Sequence, residues 1–167
     1  MMTINTTRTL AASALLAMDL AALTPAHAAL GGAPMYAVAA NAASAGATST
    51  ARLAQGSSST AASYTVNETT LSSGTVVSEY VTANNTVFGL SWRGPTVAPL
   101  QTLLGSYFPA YVQGLAAVHT ANGGGYGPAA VRQSALVVET GGHMGAFSGR
   151  AYLPQALPQG VSADDIK

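Results

Sequence analysis

Three short runs in the middle of the chain are rich in Val, Thr, Tyr and Phe, and turn-forming residues separate them. The runs span residues 64–71, 75–82 and 86–92. β-Branched and aromatic side chains favour the pleated, half-buried surface of a strand. The pattern therefore predicts an antiparallel β-meander.

The two connecting loops decide which side chains share a face of this meander. We interpret residues 72–74 and 83–85 as three-residue loops, because Gly74 suits the left-handed position that such a loop requires. With two-residue loops, the side chains of the second strand would exchange faces, and Glu68 and Glu79 would lie among the aromatic side chains. The preferred register predicts six facing pairs: Leu71 with Thr75, Val66 with Tyr80, Glu68 with Ser78, Tyr80 with Phe88, Ser78 with Leu90, and Val76 with Trp92. It predicts one apolar face: Tyr64, Val66, Val76, Tyr80, Phe88, Leu90 and Trp92.

After the meander, apolar residues recur at intervals of three and four, which indicates an amphipathic helical stripe. Thr96 is a candidate N-cap. Gly105 and Pro109 interrupt the stripe, and an interior proline removes a backbone hydrogen bond. We therefore predict two helices, at about residues 97–104 and 109–120, that lie across the aromatic face of the sheet.

A second hairpin is predicted after a glycine-rich connection. Residues 134–140 and 144–153 form its strands, and Gly141-Gly142 closes it. This two-residue loop places Glu139, Ser148 and Arg150 on the polar face of the hairpin. The expected fold class is α+β, a single small domain whose antiparallel sheet carries two helices on one face.

The first 62 residues differ from this domain in composition. Arg8, an apolar stretch over residues 10–23 and an Ala-His-Ala cleavage pattern ending at Ala28 have the order of a secretory signal. Residues 29–62 are mostly Ala, Ser, Gly and Thr, which bury too little surface to offset the entropy of ordering. We therefore predict a signal peptide over residues 1–28, a flexible leader over 29–62 and a folded domain over 63–167.

The charge and the cysteine content argue against several classes of function. Charged residues are 7% of the chain, the formal net charge is zero, and there is no cysteine. A nucleic-acid partner is not expected, because phosphate binding needs a clustered basic surface. Outside the N-terminus no apolar run approaches the roughly 20 residues of a membrane span. Disulfides, thiolate metal sites and a lipid-modified cysteine are excluded.

Few residues of the predicted domain carry chemistry. Trp92 and Arg93 end a strand, where an arginine beside an aromatic ring could bind an anion or a sugar; the alternative is a turn with the tryptophan in the core. Glu68 is either an acid of raised pKa or a residue at the wet margin of the sheet. His143, at a hairpin tip, is a ligand contact or a solvated turn residue. Arg150 is the remaining candidate.

No metal, cofactor or catalytic residue is predicted. After residue 28 the only histidines are His119 and His143, and neither H-x-x-x-H nor H-E-x-x-H spacing occurs. His119 suits the C-terminus of the predicted helix. The glycine-rich residues 121–127 lack the Gly-Lys-Ser/Thr ending of a phosphate loop, and no G-x-S-x-G motif is present.

Five blocks of sequence resemble one known family. They span residues 74–81, 86–95, 103–109, 141–154 and 160–166. Together they are similar to the Gram-negative bacterial family known as domain of unknown function 2844, over essentially all of residues 64–166. The resemblance implies export and small size, and it implies no activity, cofactor or catalytic residue.

These observations lead to a binding hypothesis. We expect an uncharacterised exported protein, periplasmic or extracellular, that binds an envelope protein or a cell-wall component without catalysing a reaction. The alternatives are a small cell-envelope hydrolase with an unfamiliar site and an assembly factor that acts through a strand edge. Glu68, His143 and Arg150 or Arg93 in one pocket would favour the hydrolase.

Overall fold

The computed structural model describes residues 30–35, 48–57, 62–124 and 127–167, and a single antiparallel sheet organises them. Its seven strands occur in the spatial order β1-β2-β3-β4-β7-β6-β5. The strands are β1 (Thr48–Gln55), β2 (Ser63–Thr70), β3 (Val76–Val81), β4 (Val87–Gly94), β5 (Ala129–Arg132), β6 (Val137–His143) and β7 (Ala146–Tyr152). The predicted meander and hairpin are therefore parts of one sheet, joined where β7 pairs with β4.

The first predicted loop has the expected geometry. Val66 lies opposite Tyr80 and Glu68 opposite Ser78, as predicted. The Leu71 amide donates to the Thr75 carbonyl, and Gly74 has a φ of 81°. A left-handed residue at this position lets the two strands continue with their natural twist.

The second loop is followed by a β-bulge, and the predicted register beyond it is wrong. Val81 lies opposite Val87 but Tyr80 lies opposite Gly89, so Phe88 is an extra residue in β4. Ser78 therefore pairs with Ser91 rather than with Leu90, and Val76 pairs with Arg93 rather than with Trp92. A bulge inserts one unpaired residue without altering the composition of the strand, so alternation alone does not reveal it.

The prediction of two helices on one face of a smaller sheet is also wrong. The sheet has seven strands, and residues 100–121 are continuously helical: α1 (Leu100–Leu104), a 3₁₀ turn (Gly105–Tyr107) and α2 (Phe108–Ala121). Pro109 does not separate two helices, because it lies in the first turn of α2, where the backbone N–H has no intrahelical acceptor. Of the helices in the described residues, only α2 is longer than a turn and a half.

The helical segment covers one face of the sheet, which we call the helix side. Leu90, Trp92, Leu103 and Tyr111 are buried there. Gly114 lets α2 approach β5, because a Cβ atom at this position would overlap the Val131 side chain. The described residues include no helix that is long and apolar enough to cross a membrane.

The opposite face, which we call the tail side, is partly covered by the chain after β7. Val161 and Ile166 pack there against Tyr64, Tyr80 and Phe88. The rings of Tyr64 and Phe88 meet edge to face with their centroids 5.5 Å apart. The aromatic face predicted to carry the helices thus carries the tail instead, and a capping box from Ser162 to Asp165 orders the tail's last turn.

Two described pieces of the predicted leader also lie against the sheet. Strand β1 pairs along its whole length with β2, and Leu30 is 2% exposed in the helix-side core. The Met35 amide donates to the buried Glu79 carboxylate at 2.7 Å. Residues 1–28, predicted as the signal peptide, lie outside the described residues, and the domain boundaries stay a prediction.

Gly149 and Gly141 offer a matched test of packing in this sheet. A Cβ atom at Gly149 would press on the Trp92 ring and lie 2.5 Å from the Glu139 carbonyl oxygen, whereas at Gly141 it would meet nothing within 4 Å. We expect Gly149→Ala to lower the free energy of unfolding by about 1–3 kcal/mol, as overpacking of a core does. Urea unfolding measures this change. An equal loss for Gly141→Ala would contradict the packing described here.

Candidate functional site

The open part of the tail side carries a polar groove built by β3, β4, β7 and β6. In an antiparallel sheet, alternate residues of each strand face the same side, and cross-strand partners are neighbours. The register forms two rows across the four strands: Val76-Arg93-Ser148-Gly141 and Ser78-Ser91-Arg150-Glu139. These residues line a cavity of about 440 Å³. We call it the serine–arginine groove.

Glu139 is an anion held between two arginines. Its Oε2 accepts from Nε of Arg150 at 2.8 Å, and its Oε1 accepts from Nη2 of Arg132 at 2.5 Å. The hydrogen bond from Arg150 is the main reason that the pKa of Glu139 lies below its ordinary value; partial burial opposes it, and Arg132 adds to it. A carboxylate held ionised in this way is poorly suited to act as a general acid.

Arg150 joins the groove to the tail. Besides its bond to Glu139, it donates from Nη1 to the Ala163 carbonyl at 2.7 Å, and the Asp164 carboxylate lies 3.8 Å from the same nitrogen. Its side chain is only 28% exposed. Because several of its donors are already engaged, Arg150 mainly forms a fixed wall of the groove.

Arg93 is held much more loosely. Its nearest acidic partner is Glu68, at 3.6 Å, and the two side chains are 63% and 38% exposed. Exposed ion pairs of this kind contribute little to stability, at most about 1 kcal/mol. The Arg93 guanidinium therefore keeps its donors available to a ligand.

The three groove serines differ in their hydrogen bonding. Ser91 donates to the Lys167 carbonyl oxygen at 3.1 Å, and Tyr80 donates to the same oxygen at 2.6 Å. Within the described part of the chain, the hydroxyls of Ser78 and Ser148 have no hydrogen-bond partner. Two free hydroxyls and a loosely held guanidinium thus face one cavity.

The sequence-predicted candidates lie in three places. Arg93 and Arg150 line the groove, and Glu68 lies beside Arg93 at its rim. Trp92 is 4% exposed in the helix-side core with its ring against Gly149, and it is also one of the residues that line the groove. His143 is exposed at the β6–β7 turn, where its Nδ1 lies 3.1 Å from the Met144 carbonyl oxygen. His143 is not among the residues that line the groove.

Sequence reasoning did not single out Ser78, Ser91, Ser148 or Glu139 as site residues. The alternation did place Ser148 and Arg150 on one face of the second hairpin. The sequence pattern did not predict that β4 pairs with β7, and it did not predict the bulge that brings Ser91 opposite Ser78. In the described segments, no group of three or more His, Asp or Glu side chains could hold a metal ion.

One comparison with known proteins gives a match. The sequence model of a family described as "Protein of unknown function (DUF2844)" matches residues 26–166. No curated protein and no solved structure matches the chain. The family match covers every strand and helix described above.

The lowered pKa of Glu139 predicts how stability depends on pH. A carboxyl group with a lowered pKa binds fewer protons in the folded state than in the unfolded state. Its contribution to the free energy of unfolding is therefore present above its unfolded-state pKa, 4.5, and is lost as the pH falls through its lower folded-state pKa. Thermal unfolding from pH 7 to pH 3 should show the Glu139→Gln variant less stable than wild type at neutral pH, and the difference should shrink below pH 4.5.

Glu68→Gln is the control for this measurement, since Glu68 belongs to the loose, exposed ion pair. It should unfold close to wild type at pH 7. A Glu139 effect that persists unchanged at pH 3 would show that the carboxylate's charge is not what stabilises the sheet.

Proposed function

We propose that this chain, which belongs to the DUF2844 family of proteins of unknown function, is an exported domain that binds a ligand without catalysing its conversion. The binding site is the serine–arginine groove. The observation that carries the proposal is a contrast within that groove: Arg93, Ser78 and Ser148 are free to bind, whereas the acid that could catalyse, Glu139, is neutralised by two arginines.

The positions of the acids and histidines favour binding over hydrolysis. A hydrolase needs an acid and a base or nucleophile within reach of one substrate bond. Glu68 lies at the rim in an ion pair, and His143 lies at the hairpin tip rather than in the groove. The three groove serines have no histidine beside them among the residues that line the cavity.

The N-terminal sequence supports export. Arg8, the apolar stretch and the Ala-His-Ala pattern at residues 26–28 follow the order of a secretory signal. The family match begins at residue 26, so nearly all of the predicted signal lies outside the matched region. A partner in the cell envelope, either a protein or a cell-wall component, suits a binding domain in that compartment.

Export is tested by expressing the full chain in a Gram-negative host and measuring the mass of its N-terminus in each cell fraction. We expect the exported fraction to contain a chain that begins at Ala29, because small residues at positions 26 and 28 direct cleavage. Ala28→Leu is the control and should leave the signal uncleaved. An intact Met1 in the soluble cytoplasmic fraction of wild type would overturn the export proposal.

Binding is tested on the chain recovered from the exported fraction, labelled with ¹⁵N. Soluble cell-wall fragments of the host should shift the amide signals of Ser78, Ser91 and Ser148, and mass spectrometry should recover the fragments unchanged. The double variant Ser78→Ala, Ser148→Ala should weaken the shifts, because it removes the two free hydroxyls. Cleaved fragments would contradict a role limited to binding, and shifts confined to another surface would contradict the groove.

A further inference from the structure

We propose that the serine–arginine groove selects a small hydroxylated carboxylate, of the chemical class of sugar acids, with Arg93 binding the carboxylate. This inference rests on the proposed function and specifies its ligand. It follows from the charge that the groove leaves unpaired, from the hydroxyls around that charge and from the volume of the cavity.

Arg93 is the groove arginine that is available to a ligand, and the exposed Lys167 is a further cation of the lining. The other arginine of the groove, Arg150, is already bonded to Glu139 and to the Ala163 carbonyl. Among the described residues, Arg93 has only the 3.6 Å ion pair with Glu68, which is longer than a hydrogen bond. A ligand carboxylate could form two parallel N–H···O bonds with this guanidinium, a geometry that the loose contact with Glu68 does not use.

The surrounding charges favour a single negative charge on the ligand. Glu68 lies beside Arg93, and Glu139 ends the neighbouring row of the groove. Because Glu139 is already paired with two arginines, Glu68 is the carboxylate that a ligand on Arg93 meets, and it repels a phosphate dianion about twice as strongly as a carboxylate with one charge. A carboxylate brings one charge and matches the planar fork of arginine.

The rest of the cavity accommodates a hydroxylated body. The volume of about 440 Å³ far exceeds that of a carboxylate group, so the ligand extends beyond Arg93. Ser148 is the cross-strand neighbour of Arg93, and Ser78 lies in the adjoining row. Their free hydroxyls both donate and accept hydrogen bonds, which suits ligand hydroxyls.

A second cavity of about 500 Å³ shares Val76, Arg93 and Ser148, so Arg93 lies between two spaces that a ligand can enter.

The test is an NMR titration of the exported, ¹⁵N-labelled chain with three probes: D-glucuronate, D-glucose and inorganic phosphate. We expect glucuronate to shift the Arg93, Ser148 and Ser78 signals at lower concentration than either other probe. Arg93→Gln should raise the dissociation constant for glucuronate by about tenfold or more, because a charge-assisted bidentate contact is lost.

Arg52→Gln is the matched control. Arg52 is an exposed arginine of β1, carries the same charge as Arg93 and lies outside the cavity lining. It should leave glucuronate binding within about twofold. Arg93→Lys keeps the charge without the fork and should bind with intermediate affinity. Urea unfolding of each variant confirms that it is folded.

The outcomes separate this inference from the proposed function. Equal binding of glucose and glucuronate, or an Arg93→Gln variant that binds like wild type, would overturn the carboxylate assignment while the groove remains a binding site. Tighter binding of phosphate than of glucuronate would overturn it in favour of a phosphate-bearing ligand. Groove shifts with cell-wall fragments but with none of the three probes would overturn the sugar-acid class alone.

Discussion

The extra residue at Phe88 determines which side of the sheet the rest of β4 faces. Phe88, the bulged residue, and Gly89, the residue after it, both face the tail side. Beyond them, Leu90 and Trp92 face the helix side, and Ser91 and Arg93 face the tail side. Without the bulge, Leu90 and Trp92 would lie beside Tyr64 and Tyr80, and the serines of neighbouring strands would not meet. Both the helix-side core and the serine–arginine groove therefore depend on one unpaired residue.

The helical segment and the C-terminal tail cover opposite faces of the sheet, and they leave different amounts of polar surface exposed. On the helix side, the helical segment and the residues around Leu30 bury apolar side chains of the central strands. On the tail side, the short cover ends where Ile166 packs on Gly89, in the space that a side chain at residue 89 would occupy. The tail thus seals the apolar half of this face and leaves the polar half accessible to solvent.

The sequence predicted local features better than long-range ones. The Gly74 loop and the facing pairs of β2 with β3 follow from residues close together in the chain, and the structure confirms them. Strand β1 was missed because its small polar residues carry no strong strand signal, although pairing with β2 holds them extended. Arg93 and Arg150 could be named but not placed together, since nothing local to either residue specifies that β4 and β7 are neighbours.

Arg150 couples the local stability of the tail to the structure of the groove, because it bonds to both. The same side chain that fixes Glu139 also holds the Ala163 carbonyl, and Ser91 holds the Lys167 carbonyl from the groove floor. Local opening of the tail would remove acceptors from both residues, and it would leave a guanidinium and a hydroxyl newly unsatisfied at the edge of the cavity. The tail therefore keeps Arg150 and Ser91 engaged and leaves Arg93, Ser78 and Ser148 as the donors that a ligand meets, so its local stability contributes to the apparent affinity of the groove.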